Sequence, residues 1–191
     1  LASIPITLGD ASTVCAERLF DSIAPTYRWA CDLSSLGTVR LLRRRCVLEA
    51  RIEPGWTVCD LATGGGECEP YIRKALRERG HLIGLDISRG MLRRNPRRSS
   101  RGDLRTTLLH ADFLENRLAA RSVDSVVCGF GAKSFSPAWQ EGLGTEIDRI
   151  LKPGGTFSLI ELSVPRDPLL RRAWFFWLET AVPGIAGLSG A

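Results

Sequence analysis

Nowhere in this 191-residue chain do about 18 apolar residues follow one another without a charge, so no transmembrane helix is expected. No basic stretch precedes the apolar residues of Leu1–Gly9, so this segment does not read as an intact signal peptide. None of the six cysteines forms a C-x-x-C pair, and neither of the two histidines stands at a zinc spacing from one. No metal site is therefore expected, and the thiols read as reduced structural groups of a cytoplasmic protein. Lysine is scarce, at positions 74, 133 and 152 only, and arginine carries the rest of the basic charge in a net +5. That balance favours anionic surfaces or substrates. Arg40, Arg43, Arg44 and Arg45 have no aromatic residues interleaved, so they read as a solvated helix face rather than a nucleic-acid surface. Internal repeats and low-complexity linkers are also missing. With 44% apolar and 25% charged residues, the length suits one globular domain with a sizeable core.

What is present alternates. Trp56–Ala62, His81–Asp86, Arg105–His110, Val123–Gly129 and Thr156–Leu162 are short apolar runs that read as strands buried on both faces. Between them, Glu69–Arg79, Ser88–Arg94 and Ala138–Leu151 carry apolar residues at helical spacing, with Ser88 as an N-cap. Strands alternating with helices imply an α/β fold, a doubly wound parallel sheet. Ahead of it lies a helical region, interrupted near Ala24-Pro25 and again near Ser34–Gly37. The expected parts of the single domain are a helical cap over 11–50, a core over 51–165 and an aromatic C-terminal helix over 166–191.

Three stretches carry ligand chemistry. The run Asp60-Leu61-Ala62-Thr63-Gly64-Gly65-Gly66-Glu67 follows the first strand and places small residues where a ligand could approach the backbone. A purely structural turn is the alternative, since many doubly wound folds have one. Asp86 ends the second strand, 20 residues after Gly66, where such folds use an acid to receive the ribose hydroxyls of an adenosine cofactor. Asp112 follows the third strand and could accept the adenine amine, with Phe113 offering a backbone N–H or a stacking edge. The alternative for Asp112 is a helix or turn cap. All three converge on one edge of a parallel sheet.

Phe20-Asp21-Ser22-Ile23-Ala24-Pro25-Thr26-Tyr27, Val58–Glu67 and Arg149-Ile150-Leu151-Lys152-Pro153-Gly154-Gly155 through Glu161-Leu162-Ser163 resemble three signatures of the UbiE/MenG methyltransferases, which methylate ubiquinone and menaquinone precursors. The resemblance runs from about Phe20 to Gly187. It implies a Rossmann-like class I fold, S-adenosylmethionine as cofactor and S-adenosylhomocysteine as product. Its cofactor residues would be Asp60, Ala62, Gly64, Gly65, Gly66, Asp86, Ile87, Met91, Asp112, Phe113 and Gly129. Lys133, Tyr27 and Asp32 are the polar candidates for catalysis, acting on a small hydrophobic, quinone-like acceptor.

Some positions depart from that family. Gly65 stands for its loop threonine, Gly129 for a serine and Lys133 for an arginine. An O- or N-methyltransferase of a natural product stays open, as does a catalytically silent partner subunit. The family's last two edge strands have no counterpart here, so they are expected to be absent and the C-terminal helix truncated. Trp174, Phe175, Phe176, Trp177 and Leu178 are consecutive and cannot share one helix face. Their burial by self-association or by a missing C-terminal piece is expected. Peripheral membrane contact beside Arg171 and Arg172 is the alternative.

Overall fold

The structure is a computed structural model that describes residues 13–95, 103–131 and 137–181. Five strands, β1 (Thr57–Leu61), β2 (Gly80–Asp86), β3 (Leu104–His110), β4 (Val123–Gly129) and β5 (Leu151–Ile160), form one parallel sheet in the order β3-β2-β1-β4-β5. The central strands are apolar because both faces are covered: Cys59 lies between Ile83 and Val126 in register, and all three are buried. The order reverses between β1 and β4, the switch point where ligands of such sheets bind.

Helices cover each face. On one, α3 (Thr38–Glu49) and α4 (Glu69–Leu76) pack Cys46, Val47, Ile72 and Leu76 against Val58, Leu82 and Val127. On the other, α6 (Pro137–Ile150) packs Leu143, Ile147 and Ile150 against Cys59, Leu61 and Val126. The helical cap forms α1 (Thr13–Ile23) and α2 (Tyr27–Ser34) ahead of α3, interrupted at the two expected places. A short α5 (Arg89–Arg94) follows β2, and a 3-10 turn, Phe113–Glu115, follows β3.

Boundaries differ most from the sequence reading at two elements. α4 stops at Leu76 rather than Arg79, because Arg77 and Glu78 adopt left-handed backbone at φ +50° and +54°. The last strand starts at Leu151 rather than Thr156. Leu151 pairs with Val123 and Thr156 with Ser125, so the intervening Lys-Pro-Gly-Gly bulges out of register. Proline has no N–H to give the ladder, and Gly154 takes φ +79° there.

Among the described residues the sheet ends at β5, with Phe157 and Leu159 exposed. The aromatic run divides. α7 (Pro168–Phe176) continues into a π-helical turn, Trp177–Ala181. The Trp177 indole donates to the carbonyl of Ser34 at 2.7 Å, tying this segment back to α2. Leu169, Leu170 and Phe176 stay exposed. Arg43 also departs from expectation. It is buried on the inner face of α3, four residues after Val39 and three before Cys46, while Arg40, Arg44 and Arg45 remain outside.

Candidate cofactor site

The site is assembled where β1, β2 and β4 end. After β1, Ala62 takes φ +52°, and Gly64 and Gly66 take +56° and +81°. After β4, Phe130 takes φ +68°. A left-handed residue with a Cβ costs about 1 kcal/mol or more. Two of them on adjacent strands at the switch point mark a backbone shaped for something other than stability. Gly131 makes that approach feasible: a Cβ there would lie 2.4 Å from the Ala62 Cβ and 3.0 Å from the Cys128 Sγ. Gly131→Ala should therefore destabilise the chain by about 1–3 kcal/mol. Urea unfolding should show this as a lower midpoint at unchanged slope.

Asp86 organises the glycine turn. Its Oδ2 accepts the Gly64 N–H at 2.8 Å, and its Oδ1 accepts the Ser88 N–H at 2.8 Å. Burial raises its carboxyl pKa, and the two backbone donors oppose that. A carboxylate has about four lone-pair sites, so both oxygens keep capacity for ribose hydroxyls. Ile87, half-buried, gives its carbonyl to His110 Nε2 at 2.8 Å. Met91 is buried, with its Cε 3.5 Å from where a Cβ on Gly64 would sit, so it floors the turn.

The residues around the turn have distinct duties. Asp60 is buried beneath it and accepts the Thr63 hydroxyl at 2.7 Å. Burial pushes its carboxyl up to about 7, which the Thr63 hydrogen bond opposes and the nearby Glu69 and Glu67 reinforce. Gly66 donates to the Thr63 carbonyl at 2.9 Å, closing the turn. Gly65 donates to Glu67 Oε2 at 3.1 Å, so the Glu67 carboxylate lies over the turn. At Gly129 a Cβ would meet the Cys68 Sγ at 2.8 Å.

Past β3, Asp112 Oδ1 accepts the Leu114 N–H at 2.9 Å, so it does cap the 3-10 turn. The Phe113 ring is packed in the core at 1% exposure. It offers no stacking edge; only its backbone N–H is left for a ligand. Tyr27 meets Phe20 edge-on, with ring centroids 6.2 Å apart. Burial holds its hydroxyl far above the usual phenol range, and Cys31 adds to this. Tyr27 thus stays protonated and can donate, but cannot serve as a base near neutral pH. Lys133 lies outside the described residues. His110 bonds Ile87, Arg89 and Glu17, and His81 bonds Thr107 and Arg105, which are structural duties.

One contact escaped the sequence reading. Asp21, on α1, accepts the Ser88 hydroxyl at 2.6 Å and the Gly90 N–H at 2.7 Å. The Ser88 bond, then the Gly90 bond, lower its carboxyl pKa. Because Ser88 also caps α5 and bonds Asp86, Asp21 fastens the helical cap to the acid-bearing turn. The signal available was its place in the Phe20–Tyr27 stretch.

The sequence profile of the ubiE/COQ5 methyltransferase family matches residues 8–189. This chain belongs to that family. It is 32% identical over 174 residues to the demethylmenaquinone methyltransferase of Lactiplantibacillus plantarum, covering 87% of this chain and 70% of the relative. It is 34% identical over 170 residues to the ubiquinone/menaquinone biosynthesis C-methyltransferase UbiE of Syntrophotalea carbinolica, covering 89% and 70%. Among solved structures, it resembles one from a complex that contains the Haloferax volcanii Trm112 methyltransferase activator. The match has a TM-score of 0.58 and 27% identity, over 73% of this chain and 58% of that one. As a member of this family with a class I fold, the chain is an S-adenosylmethionine-dependent methyltransferase.

Proposed function

We propose that this ubiE/COQ5 member methylates a ring carbon of a small, hydrophobic, quinone-like acceptor in its reduced, phenolic form. The observation that carries the reading is Asp86, held by two backbone N–H groups beside a left-handed glycine turn, in a chain related to quinone C-methyltransferases. Asp86 would receive the ribose hydroxyls, and Asp112 with the Phe113 N–H the adenine. Ala62, Gly64 and Gly65 would lie under the methionine part, with Gly66 closing the turn and Gly129 leaving room beside it. The cofactor supplies the electrophilic methyl group when bound. The protein positions the two partners and excludes water. Tyr27, held protonated, would donate to the acceptor oxygen, and Lys133 is assigned beside it as a cation that stabilises a phenolate. The exposed Leu169, Leu170 and Phe176 of α7 are read as a surface for a second copy or a partner subunit, with a membrane surface as the lesser option.

The test is methyl transfer from isotope-labelled cofactor to a reduced demethylated quinone, with fragmentation mass spectrometry locating the label. Label on a ring carbon is expected. Label on oxygen would favour the O-methyltransferase reading. Cofactor binding without transfer to any phenolic acceptor would favour the silent subunit.

A further inference from the structure

α3 turns one arginine into the protein. Arg43 is 4% exposed and lies among Val39, Cys46 and Val47 on the buried face. Its Cγ lies 3.5 Å from where a Cβ on Gly129 would sit, and its guanidinium carbon is 5.4 Å from the Phe130 ring centroid. It therefore reaches the end of β4, beside the glycine turn. Burial raises the Cys31 thiol, and the nearby Arg43 guanidinium opposes that rise. Among the described residues the Arg43 Nε has no hydrogen-bond partner and Arg43 makes no ion pair. A buried cation with an idle donor is unfavourable unless an anion completes it.

The strand order indicates which anion. Ribose recognition is anchored at Asp86, the end of β2, while Arg43 stands at the end of β4. β1 alone separates those strands. At about 4.8 Å per strand, the gap is roughly 10 Å. The stretch of S-adenosylmethionine from its ribose hydroxyls to the end of its methionine part is about that long, and it ends in the cofactor's only carboxylate. We propose that Arg43 is the carboxylate-binding residue of this site, its idle Nε–H and a neighbouring N–H meeting the two oxygens side by side. A Cβ on Gly129 would lie at ordinary contact distance from the Arg43 stem and would collide instead with the Cys68 Sγ at 2.8 Å. This rests on the S-adenosylmethionine reading of the site. An acceptor phenolate offers related oxyanion chemistry, and the experiment separates the two.

Calorimetric titration of the wild type, Arg43→Met and Arg43→Lys should compare S-adenosylhomocysteine with 5′-methylthioadenosine, which keeps the nucleoside and lacks the carboxylate. Thermal unfolding would verify each variant. Arg43→Met should lose at least tenfold in affinity for S-adenosylhomocysteine and none for 5′-methylthioadenosine. Arg43→Lys should recover part of the loss. If the methionine variant does not fold, the lysine variant alone decides, through a several-fold loss confined to the carboxylate-bearing ligand. Equal loss for both ligands, or no loss for either, overturns the proposal. Unchanged S-adenosylhomocysteine affinity with a raised KM for a phenolic acceptor overturns it in favour of an acceptor oxyanion site. A wild type that binds neither ligand would instead bring down the cofactor reading on which the proposal stands.

Discussion

Asp86→Ala should reduce S-adenosylhomocysteine affinity by about a hundredfold or more. Two charge-assisted hydrogen bonds to ribose, at about 1.5–3 kcal/mol each, account for at least 3 kcal/mol, and a tenfold change corresponds to about 1.4 kcal/mol. The same carboxylate holds the Gly64 and Ser88 N–H groups, so its removal also loosens the glycine turn. Asp86→Asn keeps the shape but points an amide N–H toward one of those backbone donors, so its loss should be smaller and still clear. Calorimetric titration measures both. A folded Asp86→Ala chain with wild-type affinity would remove Asp86 from the site.

The second large effect is on stability and comes from Asp60. Its carboxyl is held at about 7 in the folded chain against an ordinary 3.8, through burial. The folded state therefore holds the proton more tightly than the unfolded state does. Between those two values the folded chain binds more protons, so stability falls as pH rises. The contribution is fully present below about pH 4, declines from pH 4 to 7 and is flat above. At about 1.4 kcal/mol per pH unit, the whole span is of the order of 4 kcal/mol. Asp60→Asn mimics the protonated acid and can still accept the Thr63 hydroxyl. Its pH-independent packing change shifts the curve without tilting it. Denaturant unfolding of both proteins from pH 4 to 8 should show the wild type losing ground to Asp60→Asn across that window. Parallel curves would mean that Asp60 titrates near its ordinary value.

The strands and the acid at the end of β2 were legible because apolar runs and small-residue punctuation are local signals. The left-handed Ala62 and Phe130 were not, since nothing in an alanine or a phenylalanine announces a positive φ. Of the two roles open to Phe113, a backbone N–H or a stacking edge, sequence could not choose, because an aromatic after an acid looks like a stacking platform. The 3-10 turn that Asp112 caps instead sends the ring into the core beneath α6. Arg43 was hidden among other arginines, although a signal was there. It falls at i+4 from Val39 and i−4 from Val47, inside the apolar stripe of α3. Whether Asp60 faces the ligand or the core was not legible, because sequence cannot tell which side of a turn a short carboxylate takes.

The bond between Asp21 and the turn after β2 has a thermodynamic consequence. One end of that bond belongs to α1, and the other to the segment that follows Asp86. Free energy shared between two places is reciprocal. If a ligand bound at the turn and one that grips α1 are coupled through this contact, each changes the other's affinity by the same factor.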